Sequence, residues 1–345
     1  MVKACILGIE GTRLSQRERA FIQEADPLGL ILFARNCESP DQVRGLTQDL
    51  RGVSGRGDAP VLIDQEGGRV ARLTPPHWRA APPAAAFGAL YQEDPEAGRR
   101  AARLNARLIG AELGGLGINV DCAPVLDLPG PGADPIIGDR AFAADPATVA
   151  ELGRAFRAGL NDAGVLAVIK HIPGHGRADA DSHLALPRVD CPREELSAAD
   201  FQPFRALAQG EAPRPWAMTA HVVFEALDRE RPATLSATVI DEAIRRDIGF
   251  DGILITDDLS MRALEGPVCA RAAAAIAAGC DLTLHCNGKL DEMTEVAAGT
   301  PEISPQAAAR LGASLGALPA PRAIDATADE AELRSLFARS ARRAG

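Results

Sequence analysis

Short apolar runs recur along the chain, and longer amphipathic stretches separate them. The runs occupy residues 4–9, 29–33, 61–64, 118–123, 166–171, 216–219, 252–256 and 281–284. Each is short and continuously apolar rather than alternating, as a strand buried on both faces reads. Helical patterns fill the gaps. One starts at Ser39-Pro40-Asp41, where Ser39 suits the N-cap and Pro40 the first helical position. A long one covers about 95–113. Another covers about 146–163 and ends at Gly164, and a fourth covers 236–248 and ends at Gly249. Eight strands alternating with helices predict a parallel sheet, and eight is the number that closes a barrel. The expected architecture is α/β: a single (β/α)8 TIM-type barrel over 1–345, with a helical C-terminal tail from about 320 that packs outside or frays. An open, doubly wound sheet would carry a glycine-rich phosphate loop after its first strand, and Gly8-Ile9-Glu10-Gly11-Thr12 is a poor match to one. The Pro/Gly-rich segment 128–138 reads as a loop over the active face.

Composition narrows the function. With 345 residues, 46% of them hydrophobic, the chain is long enough to bury a sizeable core. The formal net charge of −10 repels nucleic acid and anionic membranes, so neither is an expected partner. The seven cysteines are odd in number and irregularly spaced, with no CxxC pair, which argues against a zinc ribbon or a redox motif. Cys280 and Cys286 read as two small core residues. Reduced thiols imply a reducing compartment. The first apolar run is too short for a signal peptide and is followed by Glu10, and no run approaches the ~20 residues of a membrane span. A cytoplasmic monomer is expected.

Candidate chemistry collects where a barrel of this type forms its site, at the C-terminal ends of the strands. Asp64 closes the third run, Lys170 and His171 the fifth, and Asp257 the seventh; His221 and His285 follow the sixth and eighth. One polar residue after an apolar run is usually a turn or a cap, but repetition at strand after strand points to a site. The segment Lys170–Pro187 carries His171, His175, Asp181 and His183 among glycines. Asp181 and His183 are two apart in a loop, so the carboxylate can orient the ring and stabilise its protonated form, as a proton shuttle near neutral pH requires. The three histidines could instead form a metal site, with His171 and His175 four apart, but Pro173 and two glycines break the helical geometry that spacing would need. A carboxylate at the seventh strand end can attack an anomeric carbon. Asp257 and Asp258 are adjacent, and pattern alone does not choose between them. Asp64, Arg72, Arg140 and Lys170 suit the hydroxyls of a pyranose, or else form structural salt bridges.

The chain resembles the family-3 glycoside hydrolases, specifically the β-N-acetylglucosaminidases of bacterial peptidoglycan recycling. The segments LILFARN, LIDQEGGRVARL, IIGDRAF, KHIPGHG with DSHLALP, MTAHVVF, PATLSATVI, GFDGILITDDLSM and AAGCDLTLHCN carry the resemblance, in the family order, over about 29–287. The departures are mild: Ile172 stands where Phe is frequent, and Arg177 and Ala178 lie where members vary. The resemblance implies Asp257 as nucleophile, His183 as general acid/base and Asp181 as its partner. It implies that Asp64, Arg72, Arg140, Lys170 and His171 hold a terminal N-acetylglucosamine. No metal and no cofactor are expected. The implied reaction is a two-step displacement with retention, and the implied substrate is N-acetylglucosaminyl-1,6-anhydro-N-acetylmuramic acid, with or without its peptide. The alternatives are a β-glucosidase or β-xylosidase of the same superfamily, a metal-dependent barrel hydrolase, and a non-catalytic sugar sensor.

Overall fold

The structure is a computed structural model that describes residues 1–209 and 213–343. Eight parallel strands close a barrel: β1 (Lys3–Gly8), β2 (Pro27–Leu32), β3 (Val61–Ile63), β4 (Val120–Asp121), β5 (Leu166–Ile172), β6 (Trp216–Thr219), β7 (Leu254–Asp258) and β8 (Leu282–His285). Each pairs with its sequence neighbours, and β8 closes on β1 through Leu7 opposite His285. The apolar runs form strands because both faces are covered. Ala4 and Ile6, Leu166 and Val168, Trp216 and Met218, and Ile253 and Ile255 point into the barrel, while their neighbours pack under the helices. That alternation has period two, as any strand must.

The helices start where their caps predict. Ser39 Oγ accepts from Gln42 N, and the helix runs Pro40–Ser54. Pro95–Gly115 is capped by Asp94, and Pro146–Asp162 is capped by Asp145 and followed by Gly164 at φ +74°. The helix expected over 236–248 differs. Residues Val239–Asp247 are π-helical, with Ile248 N donating to Ala243 O, and Ser236 serves as a cap, donating to Asp228 and accepting from Val239 N.

The N-terminal end of the barrel is plugged. The helix Pro305–Leu315 lies across it, and Ser314 Oγ accepts from the buried Trp216 Nε1 at 2.9 Å. The last helix, Ala326–Arg343, packs on the outside. Phe337 meets Phe87 with ring centroids 5.5 Å apart, Leu333 is buried, and Arg100 pairs with Glu332 at 2.7 Å. All seven cysteines are unpaired. Among the described residues no helix is long and apolar enough to cross a membrane.

Candidate active site

Period two carries the inward face of three strands straight into the site. Leu62 is followed by Asp64, Val168 by Lys170 and Ile255 by Asp257, each one step further toward the C-terminal mouth. With Arg72, Arg140, His171 and His183 they line a single cavity of about 230 Å³. Asp181 does not line it and stands behind His183. Larger clefts of about 390 and 490 Å³ lie between outer helices, and neither contains a histidine.

The inner wall of the cavity is a charge network. Lys170 Nζ sits 2.8 Å from Asp64 Oδ1 and 2.7 Å from Glu66 Oε1. Asp64 Oδ2 accepts from Arg72 at 2.9 Å, and Glu66 takes a bidentate grip from Arg140 at 2.9 and 2.8 Å. Arg72 also lies over the Phe33 ring at 5.0 Å. Burial alone would raise the pKa of Asp64 and Glu66. Lys170 first, then Arg72 and Arg140, hold both carboxyls below the ordinary range instead. Burial would likewise strip the proton from Lys170, but Asp64 and Glu66 keep its pKa above the usual value. These residues therefore pair with one another and also face the cavity.

The adjacent aspartates of β7 divide. Both line the cavity, but Asp257, 8% exposed, accepts the Asp258 backbone N–H at 2.8 Å. Burial pushes its pKa up, but the neighbouring His171, His221 and Lys170 and that N–H outweigh burial and hold it below the ordinary carboxylate value, so Asp257 is ionised at neutral pH. The Asp258 carboxylate is spent on structure, accepting from Ser260 N, Ser260 Oγ and Cys286 N at 2.9, 2.6 and 3.1 Å.

The imidazole of His183 comes from the loop after β5. Asp181 Oδ1 accepts from its backbone N at 2.9 Å and lies 2.7 Å from its Nδ1. Burial raises the Asp181 pKa slightly, but the two His183 bonds bring it below the ordinary value. The His183 side chain is 57% exposed. The loop leans on its neighbours: Gly130 N donates to Gly176 O, Asp134 N to Ala178 O, and Ala263 N to Ser182 O. Gly176 is needed for that approach, because a Cβ there would overlap the Leu128 carbonyl. The expected loop over the active face, 128–138, is thus the bed of the His183 loop, and its Ile136 and Ile137 reach the cavity.

Two side chains escaped the sequence reading. Glu66 lies two residues beyond Asp64, the offset at which side chains return to the same face of an extended chain. Asp127 is fully buried and accepts from His171 N, His175 N and His171 Nδ1. It lies past the end of the fourth run, so looking only at run ends passed it by. His175 packs edge-on against His171, with centroids 5.6 Å apart. Its pKa is lowered to about 4, first by burial and then by the neighbouring His171 ring, which disfavours a second imidazolium beside it. Among the described residues no three His, Cys, Asp or Glu side chains are grouped as a metal ion requires.

Residues 2–311 match the family described as glycosyl hydrolase family 3 N terminal domain. A β-hexosaminidase of Alkalilimnicola ehrlichii is 43% identical over 284 residues, 82% of this chain and 80% of that protein. One from Methylococcus capsulatus is 42% identical over 279 residues, 80% of each. Among solved structures, NagZ from Neisseria gonorrhoeae in complex with N-trifluoroacetyl-D-glucosamine superposes with a TM-score of 0.85 at 32% identity, covering 97% of this chain and 98% of that one. A family 3 β-N-acetylglucosaminidase from a Paenibacillus gives a TM-score of 0.78 at 34% identity, covering 99% of this chain and 62% of that one.

Proposed function

The chain belongs to glycosyl hydrolase family 3 and is a β-hexosaminidase, and we propose that it is a retaining exo-enzyme that removes a terminal β-linked N-acetylglucosamine. One observation carries the reading: the ionised carboxylate of Asp257 and the exposed, carboxylate-backed imidazole of His183 line the same cavity. The cavity is small beside the ~300–1,000 Å³ of most ligand pockets. That supports a single pyranose ring inside it, with the rest of the substrate outside.

In the first step Asp257 attacks the anomeric carbon as the glycosidic bond breaks, and protonated His183 gives its proton to the leaving oxygen. In the second, neutral His183 takes a proton from water, which attacks the glycosyl-enzyme and releases the sugar with its configuration retained. A neutral base suits this site. A second carboxylate beside Asp257 would raise the pKa of one of the pair. Asp64, Arg72, Arg140, Lys170 and His171 hold the sugar hydroxyls, and the sharing of Lys170 between Asp64 and Glu66 keeps them in place before substrate arrives.

The substrate we propose is N-acetylglucosaminyl-1,6-anhydro-N-acetylmuramic acid, with or without peptide, in cell-wall recycling. The proposed setting is the cytoplasm, which the seven unpaired thiols support, and the proposed form is a monomer. Trapping with an activated 5-fluoro N-acetylglucosaminide followed by peptide mapping tests the core of the reading. The expected label lies on Asp257, and a label on any other peptide overturns it. Faster cleavage of p-nitrophenyl β-glucoside than of the N-acetylglucosaminide would favour the glucosidase alternative. Loss of activity in EDTA would favour the metal-dependent one.

A further inference from the structure

Asp127 has no part in the steps above, yet it is among the most tightly committed side chains in the molecule. The segment after β4 runs alongside β5, with Lys170 N donating to Pro124 O and Leu126 N to Lys170 O, and this brings Asp127 under the end of β5. There its carboxylate meets three donors. Asp127 Oδ1 accepts from His171 N at 3.1 Å and from His175 N at 2.7 Å, and Oδ2 lies 2.6 Å from His171 Nδ1. A fully buried carboxylate is costly unless such partners are present, so this arrangement is strongly specified.

The two ends of the arrangement reach different halves of the cavity. The His171 ring lines the cavity, and with Nδ1 turned to Asp127 only Nε2 remains for a ligand. His175 stands at the root of the His183 loop, and its Nε2 lies 3.4 Å from the hydroxyl of Ser182, between Asp181 and His183. We propose that Asp127 is a positioning residue for both halves: it fixes His171 as the tautomer protonated on Nδ1, and through two backbone bonds it clamps the start of the loop that brings His183 to the substrate. The kinetic consequence rests on the hydrolase reading; the tautomer does not.

The isosteric Asp127→Asn separates the two roles. Its amide oxygen keeps both backbone N–H bonds, while its NH2 group faces His171 Nδ1 and favours the opposite tautomer. The expected result is a fall in kcat/KM of about 10- to 100-fold, equal for p-nitrophenyl and poor leaving groups because His171 holds the sugar. Asp127→Ala also frees the loop root and should add a further loss with poor leaving groups only. Ring nitrogen NMR of 15N-histidine enzyme should show His171 protonated on Nδ1 in the native protein and on Nε2 in Asp127→Asn. A native His171 protonated only on Nε2 overturns the proposal without any variant. So does an Asp127→Asn enzyme whose thermal midpoint drops while its tautomer and kcat/KM stay native, since that is a structural role alone. A native protein without hexosaminidase activity would sink the hydrolase reading, and the NMR result would still decide the position of the ring.

Discussion

Lys170 is 2% exposed and touches two carboxylates, whereas His183 is 57% exposed and touches one. The inner wall of the cavity is buried, multiply bonded and held by charges that leave each other no slack. Its groups are already paired with one another, so they are set before a sugar arrives. The outer element is a solvent-facing Asp–His hydrogen bond on a loop, an exposed contact of a kind that adds little to stability. What it offers instead, on the mechanism we propose, is freedom: an imidazole that can approach a leaving group, withdraw and return for a water. Binding groups and a proton carrier, the roles we propose for the two elements, face opposite demands, and the two differ in burial accordingly.

The sharpest way to break this comparison is at Asp257, where the two halves meet. Asp257→Ala should lower turnover of p-nitrophenyl β-N-acetylglucosaminide by roughly 10⁴-fold or more, while calorimetry still detects the free sugar binding to the inner wall. Activity within tenfold of native would mean that the halves do not converge there. His183→Ala should cost about 10²–10⁴ with a poor leaving group and far less in the glycosylation step with a good one. Its thermal midpoint should hardly move. Equal losses with both leaving groups would remove His183 from proton transfer.

Lys170→Met probes the wall. It leaves Asp64 and Glu66 facing each other without their shared cation, and should destabilise the fold by about 3–5 kcal/mol in urea titrations. Asp181→Ala, removing a carboxylate from the outer element, should change stability by less than about 0.5 kcal/mol. If the two variants unfold at the same urea concentration, the contrast between wall and loop is false.

A pH dependence probes the joint between them. Buried His175 has a folded-state pKa of about 4, against 6.5 for the free side chain. The unfolded chain therefore takes up a proton that the folded one refuses. Its contribution is fully present above about pH 6.5 and is lost as pH falls toward 4, a change of about 3 kcal/mol. His175→Gln should flatten the stability profile across that window. Asp64, Glu66 and Asp127, whose folded pKa values are depressed, act at lower pH: their contributions are present above about pH 4 and fail below it.

All eight strands were legible because each apolar run is short and is bounded by helix caps such as Ser39-Pro40. The rim residues were legible because the chain changes from apolar to charged where each strand leaves the core. Glu66 and Asp127 were missed for different reasons. Glu66 sits in a polar turn, the small ribbon Gln65–Gly67 with Val70–Ala71, where no apolar pattern marks a face. Asp127 takes its meaning from Lys170, His171 and His175, which lie more than forty residues away in sequence and reach it only by strand pairing.

The chain's own pattern sufficed for the number of strands, their order, and the end of the barrel at which charge would gather, since burial and capping are local demands written into adjacent residues. It could not say which side of a strand faces the lumen. A strand covered on both faces is apolar on both, so the phase that turns Asp257 inward and Asp258 toward Ser260 and Cys286 appears only when the barrel closes. The pairing of Lys170 with Asp64 and Glu66 was equally beyond it. Charges select partners by distance in space, and closing the barrel is what brings β3 and β5 within reach of each other around a common interior.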